Sequence, residues 1–323
     1  MAVRLPRLDP YVVGIFLAVV AAAILPVSGA LVAPYALATK IAVALLFFLY
    51  GARLPREVVF AGLIRWRLYL LVLAITFGFY PLVGLAALAL PEPLLGSALT
   101  AGFVYLCCMP STIQSSVALV ATARGDIAAA VCSASASNLL GVVLSPLLVG
   151  LLVHAQGNGG VSLQAIQGIV LQLLLPFALG QLVHPWLGPW TQRHKKLLAP
   201  YDRVTILMIV YGAFSAAVVG GVWREVTWPQ LIVLTALCGL LLAVVMTLSI
   251  RAARAAGFSV ADEIVIAFCG TQKGLAAGVP MAALLFPPAA VGLMVLPLMV
   301  YHQLQLTACA VMAGRYARRP EDV

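Results

Sequence analysis

Two short strings carry most of the unusual chemistry in this chain. They are Cys107-Cys108-Met109-Pro110-Ser111-Thr112-Ile113-Gln114-Ser115-Ser116 and Phe268-Cys269-Gly270-Thr271-Gln272-Lys273-Gly274-Leu275. Each places helix breakers beside hydroxyl and amide side chains inside an otherwise apolar stretch. Pro110 lacks an N–H, and its ring clashes with the preceding turn. Gly270 and Gly274 weaken a helix and permit unusual backbone angles. Backbone groups freed within lipid need partners, so interrupted helices are tolerated where they line a cavity or hold a ligand. Half-helix N-termini suit anions and C-termini suit cations. The chemistry expected is therefore the binding and passage of a small ion, with Ser111, Thr112, Gln114, Ser115 and Ser116 at the first break and Thr271, Gln272 and Lys273 at the second.

The stretch after the first break adds Ser133, Ser135, Ser137 and Asn138. Ser133 and Ser137 are four residues apart and share one helix face, where small hydroxyl residues serve packing as well as binding. Lys273 lies near the centre of its apolar stretch, where a charge costs several kcal/mol. All ten acidic residues fall in loops, tails or the first turn of a span, so no mid-membrane carboxylate is expected to pair with it. Three readings of Lys273 stay open: a fixed charge awaiting an anionic substrate, a titrating group that carries a coupling proton, or a residue that is neutral or satisfied by carbonyls and Gln side chains. Tyr301-His302-Gln303 and Gln305 form a lesser cluster in the last stretch, facing an undetermined direction. Lys40 reads as a side chain that snorkels to the outer interface.

These residues need a membrane to make sense. The chain has 323 residues, 63% apolar and 9% charged, with mean hydropathy +1.10. A soluble domain has roughly a quarter charged residues, and one core cannot bury so much apolar surface. Long apolar runs without alternation exclude a barrel and leave helices. Ten stretches can be marked, at about 10–28, 35–52, 68–90, 94–122, 126–153, 162–186, 202–221, 229–250, 262–286 and 288–313, each near the ~20 residues a span needs. Of the 19 Lys and Arg residues, Arg224 alone falls on one side, Lys40 and Lys273 fall within spans, and the rest share the other side. That bias puts both termini in the cytoplasm, and it accounts for the net charge of +9 without a nucleic acid. Arg4, Arg7 and the run that follows resemble a signal peptide, but removal would spoil the repeat described next.

The two breaks lie half the chain apart, each in the fourth span of a set of five. An odd set makes the second half enter upside down, so residues 1–156 and 157–323 form an inverted 5+5 repeat. Paired interrupted helices in inverted halves point to a transporter's binding site. The six cysteines lie in apolar stretches without a CxxC pair, so neither disulfides nor zinc are expected. The spans hold no paired Asp, Ser/His pair or HExxH, which excludes an intramembrane enzyme. Channels lack a counterpart here to their charged rings and filter repeats.

Several strings resemble the bile acid:sodium symporter superfamily, in its SBF-like branch of bacterial sodium-dependent transporters. They are Leu45–Leu54, Tyr105–Gln114, Ala128–Leu148, Cys269–Met281 and Val295–Leu306, so the resemblance covers nearly the whole chain. It implies ten helices arranged as a panel and a core domain, with the broken fourth and ninth helices crossing near the bilayer centre. By the same resemblance, sodium would take Ser115, Ser116, Ser133, Ser137 and Gln272. The chain departs from the better-known members in one respect. A glutamate that serves both sodium ions there is replaced by Ala267 or Phe268, and Lys273 follows. Family membership implies sodium, whereas an ammonium in place of a carboxylate argues against a two-sodium site. The expected function is secondary active transport of a small organic anion across the inner membrane, coupled to sodium or to protons, with no other cofactor; a sodium-independent carrier and a channel or membrane regulator are the alternatives.

Overall fold

The computed structural model describes residues 10–53, 65–153, 171, 174–221 and 226–319. Asp9, Arg4, Arg7, Arg56, Glu57, His154, Arg224, Glu225, Glu321, Asp322, the 156/157 boundary and most of 162–173 lie outside the described residues. Among the described residues every regular element is helical. The helices are α1 (Pro10–Ile24), α2 (Val32–Arg53), α3 (Trp66–Ala87), α4 (Ser97–Cys108), α5 (Ile113–Thr122) and α6 (Ile127–Leu152). They continue as α7 (Leu175–Arg193), α8 (Lys195–Val219), α9 (Trp228–Ala255), α10 (Val260–Thr271), α11 (Leu275–Leu285) and α12 (Pro288–Ala317). Seven segments among them are long and apolar enough to cross a membrane, α10–α11 counting as one. The α4–α5 pair, bent by 62°, makes an eighth.

Apolar composition decides length, and burial decides position. The α10–α11 segment is 94% buried within the protein, against 17% for the α2 segment. The first is a core element; the second turns Leu37, Ile41 and Leu45 outward, as a lipid-facing helix does. α2 packs along α7, α1 packs along α8, and α8 also meets α2. The other helices pack on one another around α10, α11 and α12, and α8 touches this group through α11 and α12.

The α2–α7 contact is made by bare backbone. A Cβ at Gly51 would lie 2.1 Å from the Phe177 carbonyl oxygen, and one at Gly180 would lie 2.0 Å from that of Phe48. Such close approach is how small residues join membrane helices. Gln181 Nε2 donates to the Gly51 carbonyl at 2.9 Å, and His184 Nδ1 lies 2.8 Å from the Ala52 carbonyl. The last turn of α2 is thereby fixed in place.

Three expectations are corrected. Gly270 is not part of the second break: it lies inside α10, beside Ile75 and Ser249. Gly274 does terminate the break, but with φ −91° and ψ 113°, an ordinary extended conformation. Its lack of a side chain serves proximity, since a Cβ there would lie 3.1 Å from the Ser111 carbonyl oxygen. Asp202 is not at the start of its helix. α8 begins at Lys195, two turns earlier, because Pro200 is tolerated within its first turns. The sequence also gave no warning of a π-helical turn at Ile75–Phe79 within α3.

Candidate functional site

At the first break, α4 stops at Cys108, and Met109 and Thr112 take extended conformations before α5 begins. Pro110 sits against Gly141 of α6, where an added Cβ would lie 2.6 Å from the proline ring. The Ser111 N–H donates to Ser137 Oγ at 3.0 Å, and Asn138 Nδ2 donates to the Ser111 carbonyl at 2.8 Å. Ser137 and Asn138 thus replace the helical partners that the break removes.

At the second break, Gln272 and Gly274 are extended between α10 and α11. The freed Thr271 carbonyl accepts from the hydroxyls of Tyr80 (2.7 Å) and Tyr301 (3.0 Å). Gln305 clamps the backbone of Lys273: its Oε1 accepts the Lys273 N–H at 2.8 Å, and its Nε2 donates to the Lys273 carbonyl at 2.9 Å. His302 Nδ1 lies 3.2 Å from that same carbonyl. The cluster of undetermined direction in the last helix therefore faces the second break.

The breaks meet. The Gly274 N–H donates to the Pro110 carbonyl at 3.0 Å, and Ser111 Oγ donates to the Cys269 carbonyl at 2.7 Å. Ser115 Oγ donates to Gln272 Oε1 at 2.8 Å. Lys273 is fully buried and reaches across to the first break. Its Nζ donates to the carbonyls of Met109 (2.7 Å), Thr76 (3.2 Å) and Cys107 (3.4 Å), and it lies 3.8 Å from the centroid of the Tyr80 ring. Nζ thus stands at the negative, C-terminal end of the α4 half-helix dipole, over the face of the Tyr80 ring. The carbonyls around Nζ are partners of the kind the third reading names, while Gln305 meets the Lys273 backbone and not its amine.

The N-terminal half-helices are treated differently. Neither Thr112, preceding α5, nor Gly274, preceding α11, caps its helix with a side chain. Both ends line one cavity of about 340 Å³, together with Ser111, Gln114, Ser135 and Asn138. Its opposite wall comes from α2, α7 and α8, and includes the ion pair of Arg53 Nη1 with Asp202 Oδ2 at 2.6 Å. The sequence had assigned Arg53 to a loop and Asp202 to a helix start, so this pair was missed. Only proximity in space, across 149 residues of chain, reveals it.

Comparison with known proteins gives the family. Residues 9–318 match the model of the SBF-like CPA transporter family. The chain belongs to the SBF-like CPA transporter family. An uncharacterised protein of Pseudomonas aeruginosa is 50% identical over 314 residues, which cover 97% of this chain and 94% of that protein. The provisionally named symporter YfeH of Escherichia coli is 47% identical over 316 residues, 98% of this chain and 95% of its own. Sodium/bile acid cotransporter 7 of Rattus norvegicus is 28% identical over 318 residues, 95% and 92% of the two chains. The SBF-like chain is thus a membrane transporter of the bile acid:sodium symporter type, and not an enzyme.

Within this SBF-like chain the expected site residues divide by environment. Ser111, Thr112, Gln114 and Asn138 face the cavity. Ser115 and Gln272 bond to each other, and Ser137 is taken by the Ser111 N–H. Ser116 and Ser133 are buried beside the Cys269 thiol, and their hydroxyls have no oxygen or nitrogen partner. Thr271 Oγ1 donates to the Ala267 carbonyl one helical turn earlier, so it is occupied within α10. Tyr80 is a partner of the crossing that no local motif distinguished, whereas Tyr301 and Gln305 belong to the lesser cluster seen in the last stretch.

Proposed function

We propose that this protein is a secondary active transporter that moves a small organic anion across the inner membrane and holds it in the cavity beside the crossing. One observation carries the reading. Two uncapped half-helix N-termini and a guanidinium face the same cavity, whereas the C-terminal ends of α4 and α10 are filled by Lys273, Tyr80 and Tyr301. Positive ends are open to solute and negative ends are closed, which selects for anions. The family's sodium-binding pattern fits this chain poorly. Its five expected ligands are neutral, three of them already hydrogen-bonded, and Ala267 and Phe268 are fully buried apolar residues where a glutamate is expected. We therefore read a carrier without a paired sodium site. A second reading, symport through one neutral sodium site, rests on the buried hydroxyls of Ser116 and Ser133, which have no oxygen or nitrogen partner.

In the full reading, ten spans form an inverted 5+5 repeat of residues 1–156 and 157–323, with both termini cytoplasmic. α1, α2, α7 and α8 are the panel, and the remaining helices are the core. Reconstituted protein is expected to exchange labelled octane-1-sulfonate, which stays anionic at all working pH values, against internal unlabelled anion. Conductance without such exchange identifies a channel and overturns the carrier. Sodium is expected to leave the melting temperature where equimolar choline leaves it; a saturable sodium-specific rise moves the model to the second reading.

A further inference from the structure

The crossing does not account for the Arg53–Asp202 pair, and loop topology does not either. Arg53 Nη1 donates to Asp202 Oδ2, and this single bond uses one corner of the guanidinium. Nε and Nη2 are buried and have no partner; the same is true of Asp202 Oδ1. Nε–H and Nη2–H form the parallel two-donor edge of arginine, the edge that matches two oxygens of one anionic head. No protein group takes these donors, and buried donors left without partners are costly, so the guanidinium keeps hydrogen-bonding capacity to spare beside this cavity.

The pair is also held in place. The Gly51–Gly180 contact fixes the end of α2, and the Tyr201 hydroxyl, one residue before Asp202, donates to the Ala42 carbonyl at 2.7 Å. Arg53 and Asp202, with Ile113 and Gln114, line both the 340 Å³ cavity and a neighbouring one of about 660 Å³. The guanidinium therefore stands where the two spaces adjoin, facing the open N-terminus of α5. Phe47, Val142 and Phe177 make much of the remaining wall of the smaller cavity apolar.

We propose that the Nε/Nη2 edge of Arg53 anchors the head of the transported solute, an organic oxyanion (carboxylate or sulfonate) with an apolar body. The substrate's charge is read by Arg53 and by the α5 and α11 N-termini, not by Lys273. Asp202 orients the guanidinium through Nη1, and its negative charge holds affinity down so that the anion is released. This rests on the anion-carrier reading, and the experiment separates the two. Affinity of the detergent-purified full chain is measured by thermal shift and calorimetry for octane-1-sulfonate and octanoate, with octan-1-ol as the neutral control.

Wild-type protein is expected to bind both anions and not the alcohol. Arg53→Lys keeps a cation but loses the planar fork, and is expected to weaken both anions by about tenfold or more. Asp202→Asn keeps an acceptor for Nη1 without the charge, and is expected to tighten both by about threefold or more. If wild-type protein binds neither anion, the anion-carrier reading falls and this inference with it. If wild-type protein binds and Arg53→Lys binds equally well, the carrier reading stands and Arg53 is not the anchor. Should Arg53→Lys fail to fold, Asp202→Asn decides alone: unchanged or weaker affinity overturns the proposal.

Discussion

Lys273 and Arg53 are both basic side chains within the protein, and they differ in how much of their hydrogen-bonding capacity is used. Lys273 is enclosed, with three carbonyls and an aromatic face around its Nζ. Arg53 makes one bond at one nitrogen and leaves two buried donors over. The first joins the broken ends of two helices across the core; the second borders a cavity. A charge whose surroundings are complete stabilises the fold, whereas one with donors to spare is available to a ligand. On the proposed reading, the residue that draws attention in the sequence, a lysine at mid-membrane, is the structural one and Arg53 is the binding one.

The sharpest way to break this contrast is Lys273→Met. It leaves the Met109, Thr76 and Cys107 carbonyls without their donor, at about 1–3 kcal/mol for each buried acceptor left unpaired. A loss of roughly 3 kcal/mol or more is expected in denaturation, with octane-1-sulfonate affinity of the surviving folded protein within twofold of wild type. A variant of normal stability that no longer binds the anion would reverse the two roles. Gln305→Leu tests the same region through the backbone. It removes both bonds to the Lys273 peptide, and about 2 kcal/mol of destabilisation is expected at ~1 kcal/mol per bond, read as a lower melting temperature without a change in anion selectivity.

The smallest effect belongs to an exposed pair remote from both basic side chains. Asp126 caps α6 by accepting the Ala129 N–H at 2.9 Å and pairs with Arg65, which also reaches Asp262 at the start of α10. The Ala129 N–H first, and then Arg65, hold its carboxyl below the ordinary Asp value. Its contribution is therefore full above about pH 4–5 and is lost as pH falls through the lowered folded value. Asp126→Ala is expected to lose about 1 kcal/mol at neutral pH, and the gap to wild type should close as pH falls through the lowered folded value. A gap that persists there would show that the cap acts through packing and not through its charge.

Much of the architecture is legible in composition. Apolar run lengths located most of the described helices to within a few residues, because lipid leaves few alternatives to a helix; α8 starts earlier, and α7 and α9 run on to Arg193 and Ala255. Both breaks were visible as polar residues beside breakers. What local sequence cannot carry is which groups meet. The Arg53–Asp202 pair joins two helix ends far apart in the chain, and each charge alone reads as a topology signal. Gly270 was misread because a glycine inside a helix and a glycine in a break look alike until packing against Ile75 and Ser249 is known. The π-helical turn at Ile75–Phe79 presents Thr76 to Lys273, yet its residues, Ile-Thr-Phe-Gly-Phe, are compatible with an ordinary helix.

The bare contact between α2 and α7 sets a rule for descent with modification. At Gly51 and Gly180 the smallest possible change, to alanine, would drive a methyl carbon to within 2.1 Å or 2.0 Å of a carbonyl oxygen. No side-chain rotation relieves a collision with backbone, and substituting both positions doubles the collision instead of compensating it. The two sites are therefore expected to change in no lineage that keeps this helix pair, and a relative with any other residue at either one should have moved its counterpart of Arg53 away from the cavity.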